Sequence, residues 1–432
     1  MDILFIHVVQ PGDSLWKISR RYGVSTQEIS DINELDQFPY LVVGQALVIP
    51  TREFSYTVRP GDTLWSISRR FNISINNIAA ANSITNQNVL TPGQVLRIPS
   101  RSKNFGYIEV NAYIEPSTPE KEREDIREVG EYLTYLSPFS YRVTADGTLI
   151  PIRDDTMIST ARGLRVAPLM VITNFAEGTF STEIGKAILT SESIQQKLID
   201  NVLSTMRSKG YYGLNIDFER LPREERESYN NFLRKVVAAL HRENYVVSTA
   251  LAPKTSATQV GAWYEAHDYR AHGEIVDFVI IMTYEWGWSG GPPLPVAPIR
   301  NVRAVLDYAV SVIPPKKIMM GMPLYGYDWT LPYVPNGPFA RRVSPQQAIA
   351  IAAQFNQAIK YDYQAQSPFI NYTDNNGKAH IIWFEDARSV RAKFLLANEF
   401  GLRGVSYWLL GLDFPQNWAV LDDMFNIVKV IR

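Results

Sequence analysis

Cysteine is absent from the 432-residue chain, which removes disulfides, thiol nucleophiles, iron–sulfur clusters and thiolate zinc sites together. Histidine is scarce. The five (His7, His241, His267, His272, His380) are scattered, with no pair one helical turn apart around a glutamate, so no metal and no cofactor is expected. An excess of either charge is also lacking: 43 Lys+Arg face 44 Asp+Glu, leaving no global cationic field for nucleic acid. No run reaches the roughly 18 apolar residues of a membrane span, so no membrane insertion is expected. The start, Met1 to His7, has neither a basic flank nor a small-residue cleavage site, and it reads as no signal peptide. What is present is an ordinary globular mixture, 46% apolar and 20% charged, and at roughly 150 residues per domain the length predicts two or three domains.

The front of the chain repeats itself. Val9-Gln10-Pro11-Gly12-Asp13-Ser14-Leu15-Trp16 returns as Val58-Arg59-Pro60-Gly61-Asp62-Thr63-Leu64-Trp65, and the same offset relates Asn33 to Asn82 and Ile49-Pro50 to Ile98-Pro99. Each copy reads as strand, helix, helix, strand: brief strands at 56–58 and 95–98, a helix after the Pro-Gly-Asp turn with Asp13 or Asp62 as its cap, and a second helix over 75–81. Trp16 and Trp65 read as core residues, since Leu-Trp-x-Ile is a buried-face pattern. The repeat resembles the LysM module, a binder of N-acetylglucosamine-containing glycans, which implies modules at 1–50 and 51–99, with glycan contact in the loops.

Beyond Arg101-Ser102-Lys103-Asn104, apolar runs alternate with amphipathic helices to the end of the chain. The spacing predicts strands at 107–113, 132–139, 165–173, 213–217, 246–251, 278–284, 318–322 and 404–408, with helices such as 193–209 and 223–244 between them. Eight strands interleaved with helices predict an α/β (β/α)₈ TIM barrel over 100–432, its active site at the C-terminal strand ends. A small α+β insertion at about 330–388 carries a hairpin turn at Asn375-Asn376-Gly377.

One strand is unusually acidic. In Gly213-Leu214-Asn215-Ile216-Asp217-Phe218-Glu219 the period of two sends Asn215, Asp217 and Glu219 to one face and Leu214, Ile216 and Phe218 to the other. Long amphipathic helices on both sides claim the apolar face, so the carboxyl groups look into the barrel. A desolvated carboxyl beside another acid keeps its proton, as a general acid acting on a glycosidic oxygen must.

The segment resembles the Asp-x-x-Asp-x-Asp-x-Glu signature of glycoside hydrolase family 18, and Met282-Thr283-Tyr284-Glu285, Gly321-Met322-Pro323-Leu324-Tyr325-Gly326 and Ser406-Tyr407-Trp408 match further landmarks of that family. The resemblance implies that Glu219 is the proton donor and later the base, that Asp217 orients the 2-acetamido group, and that Tyr284 hydrogen-bonds it over a Trp408 floor. The sugar's own acetamido carbonyl is then the nucleophile, with retained stereochemistry. Tyr325, Met282, Glu285 and Asn174 are the remaining substrate-binding candidates. Tyr212 and Asn215 stand where the family has its first two Asp, and Val171-Ile172-Thr173-Asn174-Phe175 lacks the family's Ser-x-Gly-Gly. Asn215 is expected to donate its amide to Asp217.

LysM modules in front of such a barrel resemble the spore cortex-lytic N-acetylglucosaminidases of the SleL/YaaH type. That implies a monomeric peptidoglycan hydrolase of the bacterial spore, acting in germination. A chitinase-like hydrolase of chitin oligosaccharides and a catalytically silent lectin are the other readings. Gly287-Trp288-Ser289-Gly290-Gly291 formally matches a serine nucleophile elbow, but Pro292, Pro293 and Pro295 oppose the helix that motif must open, so it reads as a loop on the cleft rim.

Overall fold

The computed structural model describes residues 3–51, 53–71, 73–86, 90–99, 105–261 and 263–432. The expected boundary at 101–104 and the first two residues of the N-terminal segment lie outside them. Eight strands run Tyr107–Ile114, Tyr135–Pro138, Ala167–Thr173, Gly213–Asp217, Val246–Leu251, Phe278–Ile281, Ile318–Pro323 and Gly404–Trp408. Each pairs in parallel with the next, and the eighth pairs with the first, closing the barrel. The ring has no exposed edge, which is how a sheet of this size avoids pairing with other chains.

The helices form where periodicity and caps agree. Glu192–Lys209 starts on the Ser191 hydroxyl and stops at Gly210 in the left-handed region (φ 74°). It buries Leu198, Ile199, Val202, Leu203 and Met206 against the barrel. The predicted 223–244 helix is shorter, Arg226–His241, because Arg223–Glu225 form a 3₁₀ turn first. The sixth strand also ends early, at Ile281: Met282 N–H still donates to the Leu251 carbonyl at 2.9 Å, but Thr283 turns to donate its hydroxyl to the Gly321 carbonyl at 2.7 Å. Inside the barrel, the N-terminal end is closed by Tyr135, Phe278 and Tyr212, with Arg403 paired to Glu109 at 2.6 Å and lying 4.7 Å over the Phe278 ring.

Between the seventh and eighth strands a five-stranded antiparallel sheet and the helix Pro345–Gln354 form a separate lobe. It begins with Gly326–Thr330, earlier than the sequence suggested, and ends with Ala379–Trp383. Its last hairpin turns at Gly377, whose φ of +78° is open to glycine.

Both front modules have the expected strand, helix, helix, strand order, with antiparallel pairs Ile3–Val8 to Ala46–Thr51 and Glu53–Thr57 to Val95–Pro99. Two expectations are corrected. Ser14, not Asp13, caps the first helix, accepting from Lys17 N, and Thr63 takes the same place in the second module. Asp13 and Asp62 sit one residue too early for that task and close the turn instead, each accepting from the backbone N–H three residues back at 2.8 Å. Trp16 and Trp65 are not core residues: they are 66% and 63% exposed. In helices of two turns the core takes Ile18, Ser19 and Tyr22, or Leu64 and Ile67, and the tryptophans point away from that stripe.

The first module is docked on the barrel. Gln346 and Gln416 donate to the Asn33 carbonyl at 3.0 and 3.3 Å, and Ile359 N–H donates to the Val43 carbonyl at 2.9 Å. Val42 packs in the apolar core of the inserted lobe, while the two modules share one core of their own.

Candidate active site

The acidic strand behaves as its period requires. Leu214, Ile216 and Phe218 join the shell between strands and helices, with Phe218 stacked on Phe232 at 6.0 Å. Asn215, Asp217 and Glu219 turn inward and are buried. The carboxyl groups of Asp217 and Glu219 hydrogen-bond to each other. Burial raises the pKa of Asp217, and burial together with the Asp217 charge raises that of Glu219 well above the usual carboxylate range. Both shifts favour a protonated form of the pair. Asp217 Oδ1 has no hydrogen-bond partner, an orphaned acceptor of a kind that rarely persists unless a ligand fills it.

Glu219 is held at its backbone. Asn174 accepts from Glu219 N–H at 3.0 Å and donates to the Glu219 carbonyl at 2.9 Å, while its second amide hydrogen goes to the Ser181 carbonyl at 2.9 Å. Asn174 was expected to bind substrate; both its donors are spent on the chain, and it grips Glu219 at both backbone groups. His267 braces the neighbouring residue, donating from Nε2 to the Phe218 carbonyl at 2.9 Å and accepting at Nδ1 from Ala252 N–H. Burial pushes this imidazole down to about 4, so it stays neutral.

Asn215 corrects a second expectation. Its amide donates to Ser248 Oγ at 2.9 Å, not to Asp217, and its carbonyl accepts from Tyr113 OH at 2.9 Å. The reason is register: Ser248 lies directly across the ladder from Asn215, whereas Asp217 is two residues along the same strand. Neither Tyr113 nor Ser248 was singled out from the sequence, and the only available signal was that Tyr113 ends the first predicted strand.

Around the pair the other expected residues converge. Tyr284 is buried and lies within electrostatic range of Asp217, Glu219 and Glu285. Trp408, half-buried at the end of the eighth strand, packs 4.8 Å from Phe139 and 5.5 Å from Tyr113. Met282 is half-buried against the barrel's apolar core. Glu285, in the left-handed region at φ 68°, accepts from Tyr325 OH and, at 3.0 Å, from Tyr327 OH. Burial raises its pKa while the two phenols oppose the shift. Tyr325 is thus occupied with Glu285.

Two aromatic clusters lie among the loops beyond the strand ends, and only Trp288, in the loop read as the cleft rim, was placed from the sequence. Arg220, next to the acid, lies 5.4 Å over Trp263, with Phe180 6.4 Å away. In the second cluster Trp288 meets Phe339 at 6.1 Å. The segment containing Ser289 is a loop that opens no helix. Among the described residues no group of three or more His, Asp or Glu is arranged to hold a metal ion.

Comparison with known proteins places this geometry. The family model described as glycosyl hydrolases family 18 matches residues 170–413, and the LysM domain model matches 7–50 and 56–99. The chain is 54% identical over 428 residues to the cortical fragment-lytic enzyme of Bacillus subtilis (strain 168), covering 98% of this chain and 99% of that one. It superposes on the crystal structure of the Bacillus megaterium QM B1551 spore cortex-lytic enzyme SleL with a TM-score of 0.87 at 44% identity, covering 100% of both chains. A chitinase from Chromobacterium violaceum ATCC 12472 matches with a TM-score of 0.68 at 26% identity over 73% of this chain and 98% of that one.

Proposed function

The chain belongs to glycosyl hydrolases family 18, and from that premise we propose that it cuts spore cortex peptidoglycan on the reducing side of N-acetylglucosamine, by retaining catalysis in which the substrate supplies the nucleophile. In this reading residues 1–50 and 51–99 hold the glycan and 100–432 cut it, the protein acting as a monomer in the spore during germination. The relatives named for cortex lysis, matched over nearly their full length, support the substrate.

One observation carries the mechanism: the two acids of the site, Asp217 at the end of the fourth strand and Glu219 two residues beyond it, are hydrogen-bonded to each other. Glycosidases that use a separate nucleophile or a water-activating base set their carboxyl groups on opposite faces of the bond, about 5–9.5 Å apart. Asp217 is too close to Glu219 to flank a sugar that way. The acetamido carbonyl of the N-acetylglucosamine unit is left to attack the anomeric carbon. Glu219 gives its proton to the departing oxygen and then, as carboxylate, takes one from the incoming water. Asp217, freed of that shared proton, turns its open oxygen to the acetamido N–H and stabilises the positive charge of the cyclic intermediate. Tyr284 donates to the same group, and Trp408 forms the apolar floor.

Mass spectrometry of purified cortex digested with the full chain tests the proposal. New reducing ends carrying N-acetylglucosamine, absent with Glu219→Gln, are expected. New reducing ends carrying the muramic sugar, or no product at all, would overturn it.

A further inference from the structure

Glu219 stands beyond the reach of the sheet. The ladders of the fourth strand end with Asp217 opposite Thr173 and Ile216 opposite Thr249, and Glu219 comes two residues later. Buried backbone groups past a ladder still need partners, and here side chains from the two neighbouring strand ends supply them. Asn174, directly after the third strand, takes both backbone groups of Glu219. His267, between the fifth strand and the helix Tyr269–Ile275, takes the Phe218 carbonyl from the other side. Thr182 adds its hydroxyl to the Arg220 carbonyl at 2.7 Å.

His267 is itself tightly fixed. A carbonyl can only accept and a backbone N–H can only donate, so Phe218 and Ala252 together require the neutral ring with its proton on Nε2. Both ring nitrogens are thereby spent on backbone, and none is left for substrate. The His267 carbonyl accepts from Nζ of the buried Lys254 at 3.0 Å, and the rings of His272 and Tyr229 lie 6.2 and 6.3 Å away. The Phe218 ring stacks on Tyr229 and on Phe232, at 6.0 Å each, which anchors the same peptide through its side chain.

We propose that His267 and Asn174 are positioning residues for the hydrolysis: gripping the Phe218–Glu219 peptide from the two strands that flank the fourth, they set where the Glu219 carboxyl stands against Asp217 and the scissile oxygen. The proposal rests on the reading of Glu219 as the proton donor. A donor misplaced by about 1 Å loses on the order of 10²-fold in rate, so a residue past the end of its strand needs such a clamp.

Steady-state kinetics on solubilised cortex fragments, with a carbon-13 titration of the Glu219 carboxyl in the same full-length variants, test this. His267→Phe keeps a ring and removes both hydrogen bonds; kcat is expected to fall roughly 10–10²-fold with KM within about threefold of wild type. The titration midpoint should move by about half a pH unit or more, because the contact with Asp217 changes. His267→Gln, which again offers one donor and one acceptor, should recover much of the loss. Asn174→Leu, which opens the clamp from the other side, should act like His267→Phe and carries the comparison should that variant fail to fold. An unmoved midpoint or a wild-type kcat in these variants would overturn the clamp. The titration needs no substrate, so the two ideas part: a wild type that leaves cortex uncut sinks the proposed function, and an unmoved midpoint sinks the clamp alone.

Discussion

Glu219 is costly to the fold and indispensable to the chemistry. Its folded-state pKa lies above that of the unfolded chain, so folding favours its protonated form; the associated stability is fully present below the ordinary carboxylate range and is lost as pH rises through the folded value. Glu219→Gln is therefore expected to raise Tm relative to the wild type at pH 8, by about 2–4 °C for each kcal/mol recovered, and to leave it nearly unchanged at pH 4, as calorimetric scans at the two pH values will show. The same substitution should lower kcat by roughly 10²–10⁴-fold. Asn215→Asp puts a third carboxyl among Asp217, Glu219, Tyr113 and Ser248, so its destabilisation should grow with pH in urea titrations. The inward acids were legible because a period of two needs only adjacent residues. The partners of Asn215 were not: Tyr113 and Ser248 arrive from strands 102 and 33 residues away, and no local pattern announces them.

Among the elements, the strand ends carry the site, and their close approach depends on glycine. A Cβ on Gly321 would stand 2.6 Å from the Ile281 carbonyl and 2.8 Å from the Tyr284 ring. Gly321→Ala is expected to push Tyr284 out of place and lower kcat/KM by roughly 10²-fold, with the circular dichroism spectrum retained. The eight strands and most helices were readable from periodicity, and the modules from their repeat. Caps and strand ends were read less well, since Ser14 against Asp13 turns on one residue of offset, and the early end of the sixth strand comes from a side chain bonding to a carbonyl 38 residues away. The exposed Trp16 and Trp65 carry a similar lesson: a buried-face motif assumes more helix than two turns provide.

For the molecule as a whole, the docked first module is the feature least visible beforehand, because its polar contacts are backbone carbonyls and glutamines, which have no sequence signature, and its apolar contact, Val42, reads like any core residue of the module. Gly44 lies at φ 85° with the Ile359 carbonyl where its Cβ would be, 1.9 Å away. Gly44→Ala should release the module at a cost of roughly 1–3 kcal/mol, seen as a larger radius of gyration in solution scattering and a lower Tm. The central claim concerns the outcome of the whole reaction, and proton NMR of freshly cleaved glycan reads it directly. The first-formed reducing N-acetylglucosamine is expected as the β-anomer, which then mutarotates. An initial α-anomer would mean direct displacement by water and would contradict a substrate that supplies its own nucleophile.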